Sequence, residues 1–230
     1  MSWADTETNN NTEKKEVEYL KFEEGVTVLR ILDEEPLSRW THWIKEANGG
    51  KGVGIYCTND KTCPICKVNA QEKKDGLKPS ERTYRTSMSH SINVLVKTVN
   101  GKEVNKVMVL EKGNGLFGQL HSQMAMLSAS GLSPDLRLVD LIINKTGTGL
   151  NTKYTVMPNM RKIYNLNDEE MKLEKYDLEQ LKPALTAEQI TDLMGGANFN
   201  DVIGANNNTE NEVASSDTNA DIDIDFTQPE

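Results

Sequence analysis

Three cysteines lie within ten residues of one another in the segment IYCTNDKTCPICKVN (residues 55–69), and the rest of the 230-residue chain has none. Cys63 and Cys66 form a Cys-x-x-Cys pair, which directs two sulfurs toward one point, and Cys57 precedes the pair. The N-terminal segment is polar and lacks the apolar core of a signal peptide, so we expect a cytoplasmic protein without membrane spans. In that compartment, an odd number of clustered thiols favours metal or redox chemistry over disulfides. The sequence therefore predicts a site for one Zn²⁺ ion.

A tetrahedral zinc site needs a fourth ligand beside the three thiolates, and the chain offers three histidines. His42 is the leading candidate, because it lies in a predicted strand that precedes the strand ending in Cys57. If these two strands pair as a hairpin, His42 approaches Cys57. His90, His121 or a water molecule remain alternatives. A zinc ion with four protein ligands has no open position, so this pattern predicts a structural site.

Catalytic interpretations of the cysteine cluster fit less well. A dithiol redox centre is typical of a βαβ setting and would leave Cys57 without a role. A zinc deaminase needs a His-x-Glu motif and a Pro-Cys-x-x-Cys motif, whereas here Pro64 follows the first cysteine of the pair and no His-x-Glu occurs. Neither a phosphate-binding loop nor a Ser/His/Asp arrangement stands out. The sequence therefore predicts a protein that is not an enzyme.

Several short strands must position this cluster. Apolar alternation predicts strands over 26–32, 39–44 and 53–57. Asn100-Gly101 between two β-branched runs predicts a hairpin over 92–111, and a second hairpin is expected over 136–158. Helices are expected in four places: after Pro64 as far as Gly76, over 115–131, over 167–181, and over 185–196, where Thr186 and Gln189 form a capping box.

This series of elements predicts a mainly β fold with a few helices. The expected architecture is an OB-fold, a small, partly open Greek-key β-barrel with an inserted zinc subdomain at about 39–78, and a β-sandwich is the alternative. We divide the chain into a disordered polar N-terminus (1–16), a core (17–166), a short helical segment (167–203) and a disordered acidic tail (204–230).

Charge is unevenly distributed along the chain. The net charge is -9, but residues 25–162 carry 20 Lys/Arg and 12 Asp/Glu, whereas residues 163–230 carry 3 and 16. A basic body beside an acidic tail suggests a polyanionic partner, although an acidic tail can also serve solubility alone.

Cations and aromatic residues alternate in the basic body, and single-strand binding needs both, cations for the phosphates and aromatic faces for the bases. The alternative is that these aromatic residues belong to the core. The candidate DNA contacts are Arg30, Arg39, Trp40, Trp43, Lys45, Tyr56, Arg82, Tyr84, Arg85, Lys106, Arg161, Lys162 and Tyr164.

The order His42, Cys57, Cys63, Cys66, together with CPIC itself, resembles the His-Cys-Cys-Cys zinc site of the single-stranded DNA-binding proteins of T-even-like bacteriophages. The segments INVLV and KVMVLEKGNGLFGQL are also similar to that family, and the resemblance covers roughly residues 17–166. Two features depart from it. The N-terminus is acidic apart from Lys14-Lys15, and His90 and Ser91 stand where the family has an aromatic pair.

The resemblance implies an OB-fold with a zinc subdomain that coats single-stranded DNA without sequence preference during phage replication, recombination and repair. It also implies self-association on DNA, a location in the host-cell cytoplasm, and an acidic tail that docks replication or recombination proteins. The tail residues expected to serve this role are Asp221, Asp223, Asp225 and Phe226. The alternative function is a zinc-stabilised interaction or transcription adaptor that binds acidic proteins or duplex DNA.

Overall fold

The computed structural model describes residues 17–58, 61–163, 168–183 and 185–204. In this part of the chain, seven strands form one sheet in which every strand pair is antiparallel. The strands are β1 (Gly25–Ile31), β2 (Leu37–Ile44), β3 (Val53–Tyr56), β4 (Arg85–Val99), β5 (Lys102–Lys112), β6 (Val139–Thr146) and β7 (Lys153–Ile163). The helices are α1 (Ala47–Gly50), α2 (Pro64–Lys74), α3 (Asn114–Ala129), α4 (Asp168–Met171), α5 (Ala187–Met194) and α6 (Phe199–Gly204). The mainly β class predicted from the sequence is confirmed.

The long strand β4 organises the sheet. Its first half pairs with β2, from Leu37 opposite Ser91 to Trp43 opposite Arg85, and its second half pairs with β1. The hairpin partner β5 lies along the other edge of β4, and Asn100 and Gly101 both have positive φ in the turn, as the Asn-Gly pair predicts. The sheet continues from β1 to β6 and β7.

Helix α3 packs against β4, β5 and β7. It buries Leu116, Leu120 and Leu127 against the inner side chains of the strands. The Gln119 side chain donates to the Tyr154 carbonyl (2.6 Å) and accepts from the Val156 amide (3.2 Å), so it satisfies part of the outer edge of β7.

Two separate hydrophobic cores result. The first lies inside the curved sheet and under α3, and includes Leu29, Val94, Leu141 and Ile143. The second joins β2, β3 and α2 to the C-terminal helices, with Ile44, Ile65, Ile190 and Leu193 fully buried. The helices α5 and α6 therefore pack on the cysteine-bearing unit. The capping box predicted at Thr186 and Gln189 is present.

The helix predicted over 167–181 is wrong for most of its length. Only α4 and a short 3₁₀ turn at Leu178–Gln180 form. The intervening chain crosses the outer face of the sheet, where Asn93 pairs with both the amide and the carbonyl of Tyr176 (3.0 Å each). Those contacts occupy backbone groups that a helix would use internally.

No helix among the described residues has both the length and the apolar character needed to cross a membrane.

Candidate metal centre

The candidate metal centre lies where β2, β3 and α2 meet. Pairing of β2 with β3 sets His42 opposite Ile55, and the Cys57 amide donates to the Trp40 carbonyl (2.8 Å), which fixes Cys57 just beyond the end of β3. Cys63 precedes α2, and Cys66 lies in its first turn beside Pro64.

The four potential ligand atoms form a compact group. His42 Nε2 is 3.6 Å from Cys63 Sγ and 3.5 Å from Cys66 Sγ, and Cys57 Sγ is 3.5 Å from Cys66 Sγ. All four atoms lie within 4.8 Å of one another. A tetrahedron with ordinary zinc bond lengths has sulfur–nitrogen and sulfur–sulfur edges of about 3.6–3.8 Å. The group could therefore hold one metal ion such as zinc, and the structure brings together the four residues expected from the sequence.

Hydrogen bonds behind His42 orient its ring. Its Nδ1 lies 3.0 Å from Thr86 Oγ1, which also accepts a hydrogen bond from the Asn69 side-chain amide (3.0 Å). With the proton on Nδ1, the Thr86 oxygen accepts both N–H groups and the lone pair of Nε2 faces the sulfurs, which is the tautomer that binding a cation through Nε2 requires. Thr86 and Asn69 were not predicted from the sequence. Thr86 is 44 residues from His42, and only the β2–β4 register places them opposite each other.

Burial favours the neutral forms of His42 and Cys66 while no cation is bound. His42 is 1% exposed, and desolvation lowers the pKa of its imidazole, which keeps the ring neutral at pH 7. Desolvation, and then hydrogen bonding and proximity to Cys57 and Cys63, raises the pKa of the Cys66 thiol to about 12. A bound divalent cation reverses this preference by stabilising the thiolates.

The other histidines lie elsewhere. His90 contacts Ser38 Oγ through Nδ1 (2.7 Å) and Asn114 Oδ1 through Nε2 (2.7 Å), and its ring packs on Phe117. His121 is exposed on α3. Neither belongs to the group that could hold a metal.

The structure distributes the candidate DNA contacts over several environments. The exposed ones are Trp40, Lys45, Arg85 and Lys106; the half-buried ones are Arg39, Trp43 and Arg82; the buried ones are Arg30, Tyr56 and Tyr84. Arg161 and Lys162 lie in β7, although their side chains are outside the description. Tyr164 and the tail residues Asp221, Asp223, Asp225 and Phe226 fall outside the described residues.

Some of these residues form one surface beside the metal centre. The Arg39 guanidinium lies 4.9 Å from the centre of the Tyr56 ring, and Lys182 Nζ lies 4.8 Å from the same ring. Trp43 packs on Gly52, where a β-carbon would come within 2.5 Å of the indole. Arg39, Trp43 and Tyr56 share the outer face of the sheet, because they alternate with the inward-facing His42 and Ile55.

Arg30 is in a different setting. Its guanidinium is buried, donates to Asp140 (2.8 and 3.0 Å) and also pairs with Glu170, and Lys97 contacts the same two carboxylates. Buried opposite charges of this kind satisfy one another, so Arg30 is not a surface cation in this structure. The sequence pattern that made Arg30 a candidate DNA contact could not reveal Asp140, which lies 110 residues away.

No protein-family description matches this chain, and no characterised protein matches its sequence.

Proposed function

We propose that this chain is a non-enzymatic, zinc-containing single-stranded DNA-binding protein with an OB-type core. The supporting observation is the position of the candidate metal centre relative to the strands of the sheet. The strand order β7-β6-β1-β4-β5 with α3 between β5 and β6 agrees with the five strands and single helix of an OB-fold. In chain order the first two of those strands are β1 and β4, and the candidate metal centre lies in the connection between them. This connection is one of the two loops through which OB-folds bind oligonucleotides.

The role we assign to the metal is structural. His42, Cys57, Cys63 and Cys66 would complete a tetrahedral zinc shell and leave no position for a reacting water. The ion would hold the connection between β3 and α2 in one conformation, which orients β2 and its outward-facing residues. Nothing in this arrangement supplies a nucleophile or a general base, so we propose binding without catalysis.

The ligand we propose is single-stranded DNA, bound without sequence preference. Arg39 on β2 and Arg85 on β4 supply cations, and Lys45 supplies another just after β2. Trp43 supplies an aromatic face opposite Arg85, while Trp40 is exposed on the other face of β2. Aromatic stacking contributes about 1–3 kcal/mol per base and tolerates any sequence. We further propose that the chain acts in phage replication, recombination and repair in the host-cell cytoplasm, and that its acidic tail recruits partner proteins.

A titration with fluorescent oligo(dT), before and after metal removal, tests this proposal. We expect one zinc per chain, quenching of tryptophan fluorescence, binding that weakens steeply with salt, and much weaker binding to duplex DNA. We expect His42→Gln to lose the stoichiometric metal while the matched control His121→Gln retains it. Equal affinity for duplex and single-stranded DNA would contradict the proposal.

A second candidate function is a zinc-stabilised interaction adaptor. The observation that favours it is the exposure of Met126, Met157 and Met160 on α3 and β7, because exposed methionines adapt to apolar protein surfaces. Metal binding without any affinity for oligo(dT) would select this function over the first.

A further inference from the structure

The segment 168–182, which we call the strap, crosses the outer face of the sheet on its way from the end of β7 toward α5. It carries six carboxylates and three lysines. The strap contacts residues of β1, β2, β4 and β5, including Arg30, Arg39, Asn93 and Glu111. In an OB-type arrangement the second and third strands, here β4 and β5, present the oligonucleotide-binding face. The strap therefore lies on the face where a ligand of the proposed function would bind.

Two carboxylates of the strap form ion pairs with cations of the sheet beneath it. Glu179 pairs with Arg39, the cation over the Tyr56 ring, and Glu170 pairs with Arg30 and Lys97. The backbone phosphates of a nucleic acid place anions in a similar series along a cationic groove. At these two points the strap places a carboxylate where a phosphate of the ligand could pair with the same cation.

Side chains, rather than strand pairing, hold the strap backbone at the points where it meets the sheet. Asn93 binds the backbone of Tyr176, the Tyr19 hydroxyl lies 3.5 Å from the Leu181 carbonyl, and Lys175 pairs with Asp33 (3.0 Å). An open cleft separates the strap from the loop after β1 between Pro36 and Leu178. Side-chain contacts can break one at a time, so the strap can open locally while the strands of the sheet stay paired.

We propose that the face beneath the strap, centred on Arg39 and Tyr56, is a binding surface for single-stranded nucleic acid, and that the strap is its internal occupant. The incoming strand displaces Glu179 from Arg39, exchanges carboxylate for phosphate, and exposes Tyr56 for stacking. This inference rests on the proposed function and names the surface and its regulation.

Two strap variants test this proposal in the metal-loaded full chain, with an oligo(dT) of about 15 nucleotides as the probe. Glu179→Gln removes the carboxylate that competes for Arg39, so we expect affinity to rise about two- to fivefold, as for a partly exposed ion pair. The control Glu188→Gln makes the same change of charge on the exposed side of α5, and we expect it to leave affinity close to that of the unmodified chain.

The variant Lys175→Gln distinguishes an effect of strap release on affinity from an effect of the overall charge alone. Removal of a cation weakens the binding of a polyanion if only the overall charge matters. Here it frees the strap from Asp33, which stays satisfied by the Asn93 amide groups (2.7 and 3.0 Å), so we expect tighter binding. Hydrogen exchange should show loss of protection in residues 172–182 when oligo(dT) binds.

The outcomes separate the two proposals. Tighter binding by both strap variants, together with increased exchange in the strap, supports the inference. Weaker binding by Lys175→Gln, or a strap that stays protected in the complex, overturns it while leaving the proposed function intact. Absence of oligo(dT) binding in the unmodified chain and in both strap variants overturns both.

Discussion

At the scale of single residues, the candidate metal centre depends on Thr86 as well as on the atoms that face the ion. Its hydroxyl contacts Nδ1 of His42 and so orients the ring, and the Asn69 amide donates to the same hydroxyl oxygen. Such outer contacts commonly change metal affinity without changing the set of ligands. The site is therefore built from two strands and a helix that meet only in the folded chain.

Replacement of Thr86 by valine tests this outer contact. The side chain keeps its shape but no longer accepts the Nδ1 proton of His42, so we expect zinc affinity to fall about 10- to 100-fold. Competition with a chelator of known affinity measures the change. The control Thr155→Val alters an exposed threonine of β7 and should leave affinity unchanged. Equal affinities for the two variants would show that Thr86 does not orient His42.

Proton release on metal binding follows from the raised pKa of Cys66. A thiol whose pKa is about 12 retains its proton at pH 7, and the metal must displace that proton to bind sulfur as a thiolate. The imidazole of His42, whose pKa burial lowers, is already neutral at pH 7. We therefore expect at least one proton released per zinc at pH 7, and weaker zinc binding as the pH falls, because protons compete for the sulfurs.

A zinc titration in weak buffer with a pH indicator measures this release. Magnesium serves as the control ion, since it prefers oxygen ligands and should release no protons from these thiols. Zinc binding without proton release would mean that the thiols are already ionised in the metal-free chain.

At the scale of elements, the two hydrophobic cores divide the molecule into parts that depend on the metal to different degrees. The second core includes Cys63 itself and joins α2 to α5 through Ile65, Ile190 and Leu193. The first core contains none of the four candidate ligands and lies between the sheet and α3. The C-terminal helices thus pack on the unit that the metal would hold together.

Metal removal should therefore affect the two cores unequally. We expect amide hydrogens of α2, α5 and α6 to lose protection after chelation, while those of β1, β6 and β7 remain protected, because local opening follows the contacts within each core. Hydrogen exchange monitored by mass spectrometry measures both in one sample. Substitution of Ile190 by alanine should cost about 2–5 kcal/mol of stability and reproduce the loss in α2 without chelation. Equal loss of protection in both cores would contradict this division.

The elements that the sequence predicted are those with local signals. The period-2 runs, the Asn100-Gly101 turn and the capping box at Thr186 depend on neighbouring residues, and all three are present. The grouping of His42 with the cysteines followed from one assumed hairpin, β2–β3, which also formed.

Features that depend on distant pairing were not predictable in the same way. The strap has helical spacing of apolar residues, but Asn93 binds the backbone of Tyr176 between two short helical turns, and tertiary contacts of this kind override a weak helical preference. Arg30 is buried because β1 and β6 bring Asp140 beside it, and no local pattern encodes that register.

At the scale of the whole molecule, the distribution of charge connects the fold to the proposed function. The 26 residues after Gly204 carry seven carboxylates and no lysine or arginine, so their deletion changes the formal net charge from -9 to -2. If this tail competes with DNA for the basic body, its removal should raise affinity for oligo(dT) and make the dependence of affinity on salt steeper, because more cations become available to phosphates. Affinity measured at several salt concentrations, for the full chain and for the chain ending at Gly204, tests this expectation.

The strap remains in the truncated chain, so Glu179→Gln in that background should raise affinity by the same factor as in the full chain if tail and strap act independently. An unchanged affinity together with an unchanged salt slope after truncation would rule out competition by the tail. The strap would then be the acidic segment that competes with DNA for the face around Arg39.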